Sequence, residues 1–137
     1  MSLIKLIDFH EFADTRGALV ALEGGKEIPF EIRRVYYLYH LSNNFHRGFH
    51  AHRNLEQVAV CISGSCSFLL DDGLNRQTLN LASPAQGLLI EPMVWHEMFD
   101  FSSDCVLMVI ASEHYDESDY IRDYEQFRKE AANAQDS

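Results

Sequence analysis

Apolar residues along this chain fall in short runs, and many runs alternate apolar with polar positions at a period of two. "RRVYYLYHL" (residues 33–41) is rich in strand-forming aromatics. "EQVAVCI" (56–62) and "CSFLL" (66–70) are separated by "SGS", a tight hairpin in which Gly64 supplies the turn. "DDGLN" (71–75) is the next turn and leads into the alternating "RQTLNL". "GLLIEP" (87–92) and "HEMFDF" (96–101) are further strands, and "CVLMVIA" (105–111) is a buried one. Near the start, "IKLIDFHEF" is followed by a "DTRG" turn and "ALVAL". The sum is about nine or ten short strands, spaced as in a sandwich or barrel.

One segment breaks this rhythm. In "SDYIRDYEQFRKEAANA", Tyr120, Ile121, Tyr124 and Phe127 recur at helical spacing. Ser118 suits an N-cap, and Arg128 and Lys129 trail the acids as the helix dipole favours. The pattern predicts a single domain over residues 1–137, with a β body at about 4–112 and a C-terminal helix at about 118–132.

Composition narrows the function classes. At 137 residues, 47% hydrophobic and 12% aromatic, the chain can bury its own core and is not disordered. No run approaches the roughly 18 apolar residues of a membrane helix. The start lacks the sustained apolar stretch of a secretory signal, so no membrane partner is expected. The three cysteines, Cys61, Cys66 and Cys105, each lie in or beside an apolar run. They read as buried reduced thiols in a cytoplasmic protein.

The formal net charge of -10 argues against nucleic acid as a partner. The distribution adds more than the total. Residues 33–53 hold Arg33, Arg34, Arg47 and Arg53 and no acid, together with His40, His46, His50 and His52. This block is either a solvated basic face or a site for a small anion such as a diphosphate, and charge alone leaves both open.

Within it, "RGFHAHRNLEQ" sets two histidines two apart. On a strand His50 and His52 face one side and Ala51 the other. Two imidazoles inside a barrel need partners or a purpose, because each unsatisfied buried polar group costs about 1–3 kcal/mol. A metal site, a proton-transfer pair and a satisfied structural pair are the three readings.

"HAHRNLEQVAVCISG" resembles the first signature of the cupins, and "EPMVWH" the second, one residue short and without its internal glycine. The resemblance implies an all-β fold, a small antiparallel jelly-roll (cupin) barrel with a C-terminal helix. Metal cupins use two histidines, an acid and a later histidine. Here the acid slot holds neutral Gln57, which leaves His50, His52 and His96 without an anionic ligand.

Over longer stretches the match sharpens. "RRVYYLY", "RGFHAHRNLEQVAVCISGSCSFLLDDG", "GLLIEPMVWHEMFDFSSDCVLMVIAS" and "YDESDYIRDYEQF" resemble the nucleotide-sugar 3,4-ketoisomerases, the WxcM-like cupins acting on dTDP-4-oxo-6-deoxyglucose. His46 stands where that family often has a first arginine before the glycine. The resemblance implies conversion of dTDP-4-oxo-6-deoxyglucose to a dTDP-3-oxo-6-deoxyhexose by base-catalysed enediol formation, for deoxysugar biosynthesis. It implies His50 and His52 as the catalytic pair; His52 is taken as the C3 base with His50 assisting, and the sequence leaves the exchange of these roles open. Tyr37, which shares the strand parity of Tyr39 and Arg33, is expected to bring its hydroxyl to the sugar as a third catalytic group. Arg33, Arg47, Gln57, Trp95 and His96 are expected to bind substrate, with no metal or other cofactor. The expected partners are a dTDP-linked 4-oxo-6-deoxyhexose and a second copy in a homodimer. A metal-dependent cupin dioxygenase or isomerase, and a non-catalytic nucleotide-sugar-binding cupin, are the alternatives. A 3,5-epimerase fits the histidine pattern poorly.

Overall fold

The computed structural model describes residues 2–136. The strands run β1 (Lys5–Asp8), β2 (Phe12–Asp14), β3 (Gly17–Leu19), β4 (Arg34–Leu38), β5 (Arg47–His52) and β6 (Gln57–Ser63). They continue as β7 (Cys66–Asp71), β8 (Arg76–Leu81), β9 (Gln86–Ile90), β10 (Trp95–Phe99), β11 (Val106–Ala111) and β12 (Tyr120–Ile121), and the chain closes with helix α1 (Tyr124–Asp136). Two five-stranded antiparallel sheets, β1-β9-β6-β11-β4 and β12-β5-β10-β7-β8, face each other. The expected all-β barrel with one C-terminal helix is the architecture found.

Alternation along each strand builds the layers. Ala59, Cys61, Leu107 and Val109 point inward and meet Phe68, Leu70, Leu88 and Phe101 in the central core. Their neighbours Val58, Val60 and Ile110 point outward and are covered by Phe9 and Ile28. On the other sheet, Ala51, Trp95 and Ile121 point outward and pack under Phe127 and Ala131 of α1. The β2–β3 hairpin stands apart, with every residue exposed.

The helix begins later than its periodicity suggested. Tyr120 and Ile121 pair with His52 and Ala51 as strand β12. Ser118 is not an N-cap; it lies in a 3₁₀ turn (Glu117–Asp119) capped by Asp116. Asp123 meets the helix start instead, its carboxylate accepting the Gln126 N–H at 3.0 Å. Ile121, Tyr124 and Phe127 still cover one surface, over Ala51 and Trp95, but Tyr120 points the other way, onto the histidines.

One irregularity shapes the barrel mouth. Across β5 and β10, His50 lies opposite His96, Gly48 opposite Glu97 and Arg47 opposite Met98, with a register shift between His96 and Glu97. Phe49 is the extra residue of a β-bulge, at φ 58°. Residues opposite one another share a face. The bulge therefore turns Arg47 to the side of Met98, His96 and His50, where strict alternation would have turned it away. Gly48 permits this: its φ is +90°, and a Cβ there would sit 2.8 Å from the His96 carbonyl oxygen.

Gly48→Ala is therefore expected to lower the urea midpoint more than Gly25→Ala. Gly25 has φ +75° with open space around it, so alanine there meets only the left-handed penalty of about 1–2 kcal/mol. Equal losses would contradict the close approach at Gly48.

Candidate active site

His50 and His52 enter the barrel from β5, and His96 enters from β10. The ring centroids of His50 lie 5.0 Å from His52 and 4.6 Å from His96. One nitrogen from each of the three rings lies within 4.8 Å of the others. His52 and His96 are buried, and His50 is half-buried nearer the mouth.

The Nδ1 atoms all face oxygens. That of His50 lies 3.1 Å from the Gly48 carbonyl, that of His96 lies 3.2 Å from the Val94 carbonyl, and that of His52 lies 3.3 Å from Asp119 Oδ2. The last is a close contact without hydrogen-bond alignment; neither ring nitrogen of His52 has an aligned partner among the described residues. With each Nδ1 turned to an oxygen, the Nε2 edges are left toward the shared space.

Burial sets the charge of the cluster. It lowers the His50 pKa, and it pushes His52 down to about 4 and His96 down to about 3, with neighbouring His50 adding to both. All three imidazoles are neutral at pH 7 and able to accept protons. The same set can hold a divalent ion by distance, as three neutral nitrogens without a carboxylate in the group. Gln57 is buried at the expected acid slot, but its amide donates to the Tyr36 hydroxyl at 2.8 Å.

Three expected residues lie elsewhere. Tyr37 is 64% exposed on the outer face of β4, beside Tyr39. Its neighbour Tyr36 faces inward, and burial raises that phenol to about 12. Arg33 lies before β4 and pairs with Glu31 at 3.3 Å; Arg34, the next residue, faces the mouth. Trp95 is buried under α1, 5.3 Å from the Tyr124 ring, because it lies on the opposite face of β10 from His96. In "RRVYYLY" both parities carry an arginine and aromatics, so alternation alone does not tell the inner row from the outer.

The C-terminal segment supplies what the strand pattern could not. Tyr120 covers the histidines, 5.0 Å from the His50 ring and 4.3 Å from the His52 ring. Arg122 lies 4.2 Å over the Tyr120 ring and is held by Glu117. Two cavities flank this cover. One of about 310 Å³ is lined by Arg34, Tyr36, Arg47, His50, Tyr120 and Arg122. The other, about 580 Å³, is lined by Arg34, His52, Tyr115, Asp119 and Tyr120, among others.

The arginines of this region differ in what they already hold. Arg53 is paired with Glu130 at 2.9 Å, and Arg122 with Glu117 at 2.9 Å. Arg34 and Arg47 form no ion pair among the described residues, and Arg34 Nε is buried without a hydrogen-bond partner. Two uncompensated guanidinium groups beside a neutral imidazole cluster suit an anionic ligand with exchangeable protons nearby.

Known proteins resemble this chain over nearly its whole length. A curated relative from Aneurinibacillus thermoaerophilus, TDP-4-oxo-6-deoxy-alpha-D-glucose-3,4-oxoisomerase, is 58% identical over 125 residues, covering 91% of this chain and 90% of its own. The sugar 3,4-ketoisomerase QdtA from Thermoanaerobacterium thermosaccharolyticum, solved with TDP, superposes with a TM-score of 0.94 at 44% identity, covering 96% of each chain. The TDP-quinovose 3,4-ketoisomerase WlaRB from Campylobacter jejuni superposes at 0.89 with 46% identity, covering 94% of this chain and 99% of its own. The model of the family described as FdtA: WxcM-like, C-terminal matches residues 2–132, and the chain belongs to that family.

Proposed function

We propose that this protein is a TDP-sugar 3,4-ketoisomerase acting on TDP-4-oxo-6-deoxyglucose. The observation that carries the reading is the cluster of neutral, converging imidazoles beside two unpaired arginines. The match along nearly the whole chain to a named oxoisomerase, and to a ketoisomerase solved with TDP, supports the substrate.

The chemistry needs a base at C3, an acid at C4 and a place for negative charge. The C4 carbonyl acidifies the C3–H bond. A neutral imidazole of the His50–His52 pair takes that proton, and the C–H electron pair becomes the C3–C4 double bond of an enediolate with its charge on the C4 oxygen. A proton is then delivered to C4, the C3 hydroxyl gives up its proton, and the C4 oxygen gains one. The product is the 3-oxo isomer, with atoms and electrons conserved.

Tyr36 takes the role that the sequence pattern suggested for Tyr37. Its oxygen accepts from Gln57, which leaves its O–H free to donate, and a phenol raised to about 12 stays protonated at neutral pH. That suits it to the developing C4 oxyanion. Arg34 and Arg47 hold the diphosphate. His96 walls the sugar pocket.

The protein acts as a homodimer in the cytoplasm. β4 is a sheet edge, and Val35 and Tyr37 on its outer face, with Tyr39 just after it, are exposed at 53%, 64% and 57%, an apolar row suited to a second copy. Three free buried thiols suit a reducing compartment.

Titration with TDP is expected to show weaker binding for Arg34→Gln and Arg47→Gln than for Arg33→Gln; equal effects would remove the two from the anion site. Incubation with TDP-4-oxo-6-deoxyglucose in deuterated water should yield the 3-oxo isomer with deuterium at carbon. In that assay Tyr36→Phe should lose about 10²-fold in rate, as for a lost oxyanion donor, and Tyr37→Phe should lose little. No exchange by the wild-type protein would refute the reaction for this substrate.

A further inference from the structure

Asp119 is unaccounted for by the reaction as described. It ends the 3₁₀ turn that precedes β12, far along the chain from β5, and its side chain is only 14% exposed. Its Oδ1 accepts the Asn54 N–H at 2.8 Å and its Oδ2 accepts the Leu55 N–H at 3.2 Å. The carboxylate is thus fixed from both oxygens by the loop that follows β5. It is fixed where Oδ2 stands 3.3 Å from His52 Nδ1.

We propose that Asp119 is the positioning residue of the proton-transfer pair: it holds His52 as the Nδ1–H tautomer and so keeps the Nε2 lone pair toward His50 and the sugar. This rests on the isomerase reading and deepens it. An ionised carboxylate only accepts hydrogen bonds, so a lone pair on Nδ1 would face another lone pair across 3.3 Å. The proton belongs on Nδ1, and Nε2 is then the acceptor. His50 and His96 have only backbone carbonyls behind their Nδ1 atoms.

The carboxylate does a second thing that a carbonyl does less well. When His52 gains a proton, the new positive charge lies against Asp119. Burial and neighbouring His50 depress the basicity of His52, and Asp119 opposes both. Without it, the most buried imidazole of the pair would be a weak acceptor of either nitrogen's choosing. The contact is not aligned as a hydrogen bond in the resting arrangement, and protonation provides the driving force to align it.

Asp119 also helps to tether the segment that carries Tyr120, and that role must be separated from orientation. Arg53 tethers the same segment through the Ser118 and Tyr120 carbonyls at 2.8 and 3.2 Å, and its guanidinium otherwise pairs with Glu130 rather than with the His52 ring. Arg53→Gln is therefore the control. In Asp119→Ala and Asp119→Asn, kcat for TDP-4-oxo-6-deoxyglucose should fall by about 10–100-fold with KM little changed, the cost typical of losing a group that orients a working imidazole. Arg53→Gln should lose far less of kcat.

Long-range ¹H–¹⁵N spectra of the histidine side chains provide a readout independent of turnover. Wild-type His52 should show a protonated Nδ1 and a bare Nε2, and Asp119→Ala should lose that preference while Arg53→Gln keeps it. A wild-type His52 protonated at Nε2, or an Asp119→Ala protein with wild-type kcat, would overturn the proposal. So would an Arg53→Gln protein that matches Asp119→Ala in both measurements. A wild-type protein that leaves the substrate unchanged would instead count against the isomerase reading, and the tautomer would still be read.

Discussion

The register between β5 and β10 is the constraint on which the rest of the mouth depends. His50 opposite His96 places two imidazoles on one inner face, and the bulge at Phe49 brings Arg47 round to that face as well. An unbroken ladder would have left Arg47 on the side of Ala51. The bulge rests on Gly48, whose backbone approaches the His96 carbonyl too closely for any side chain. A single backbone device thus brings Arg47 and the imidazoles to one face.

Burial then does the electrical work. Three imidazoles close together inside a barrel cannot all be charged, and desolvation keeps them neutral. A neutral cluster tolerates two arginines nearby, and two acids close to them are engaged elsewhere: Glu117 holds Arg122 and Asp119 stands at His52. An acidic protein can in this way offer a local cationic site for an anionic ligand.

Much of the fold was legible from alternation, because strands buried on one face leave a period-two trace. The His50–His52 pair was legible for the same reason: two residues apart on a strand, they share a face whichever way it points. Tyr36 and Arg34 were not, since "RRVYYLY" offers an arginine and aromatics on both faces, and only the packing of Leu38 and Tyr36 into the core tells inside from outside. Trp95 was misplaced by its adjacency to His96, the two lying on opposite faces of β10. Asp119 and Tyr120 were hidden by the helical spacing of their neighbours. Nothing local in "ESDYI" says that it returns to pair with β5, because that contact is set by the tertiary fold.

Burial keeps the histidine pair neutral and ready to accept a proton. The dependence of kcat/KM on pH reports that state, over the range in which the protein remains folded. An imidazole whose pKa is lowered in the folded protein stays in its base form until the pH falls through that lowered value. The account predicts an acid limb below 6.5, the ordinary imidazole value, with activity unchanged from neutral pH down to it. An acid limb at or above 6.5 would contradict it.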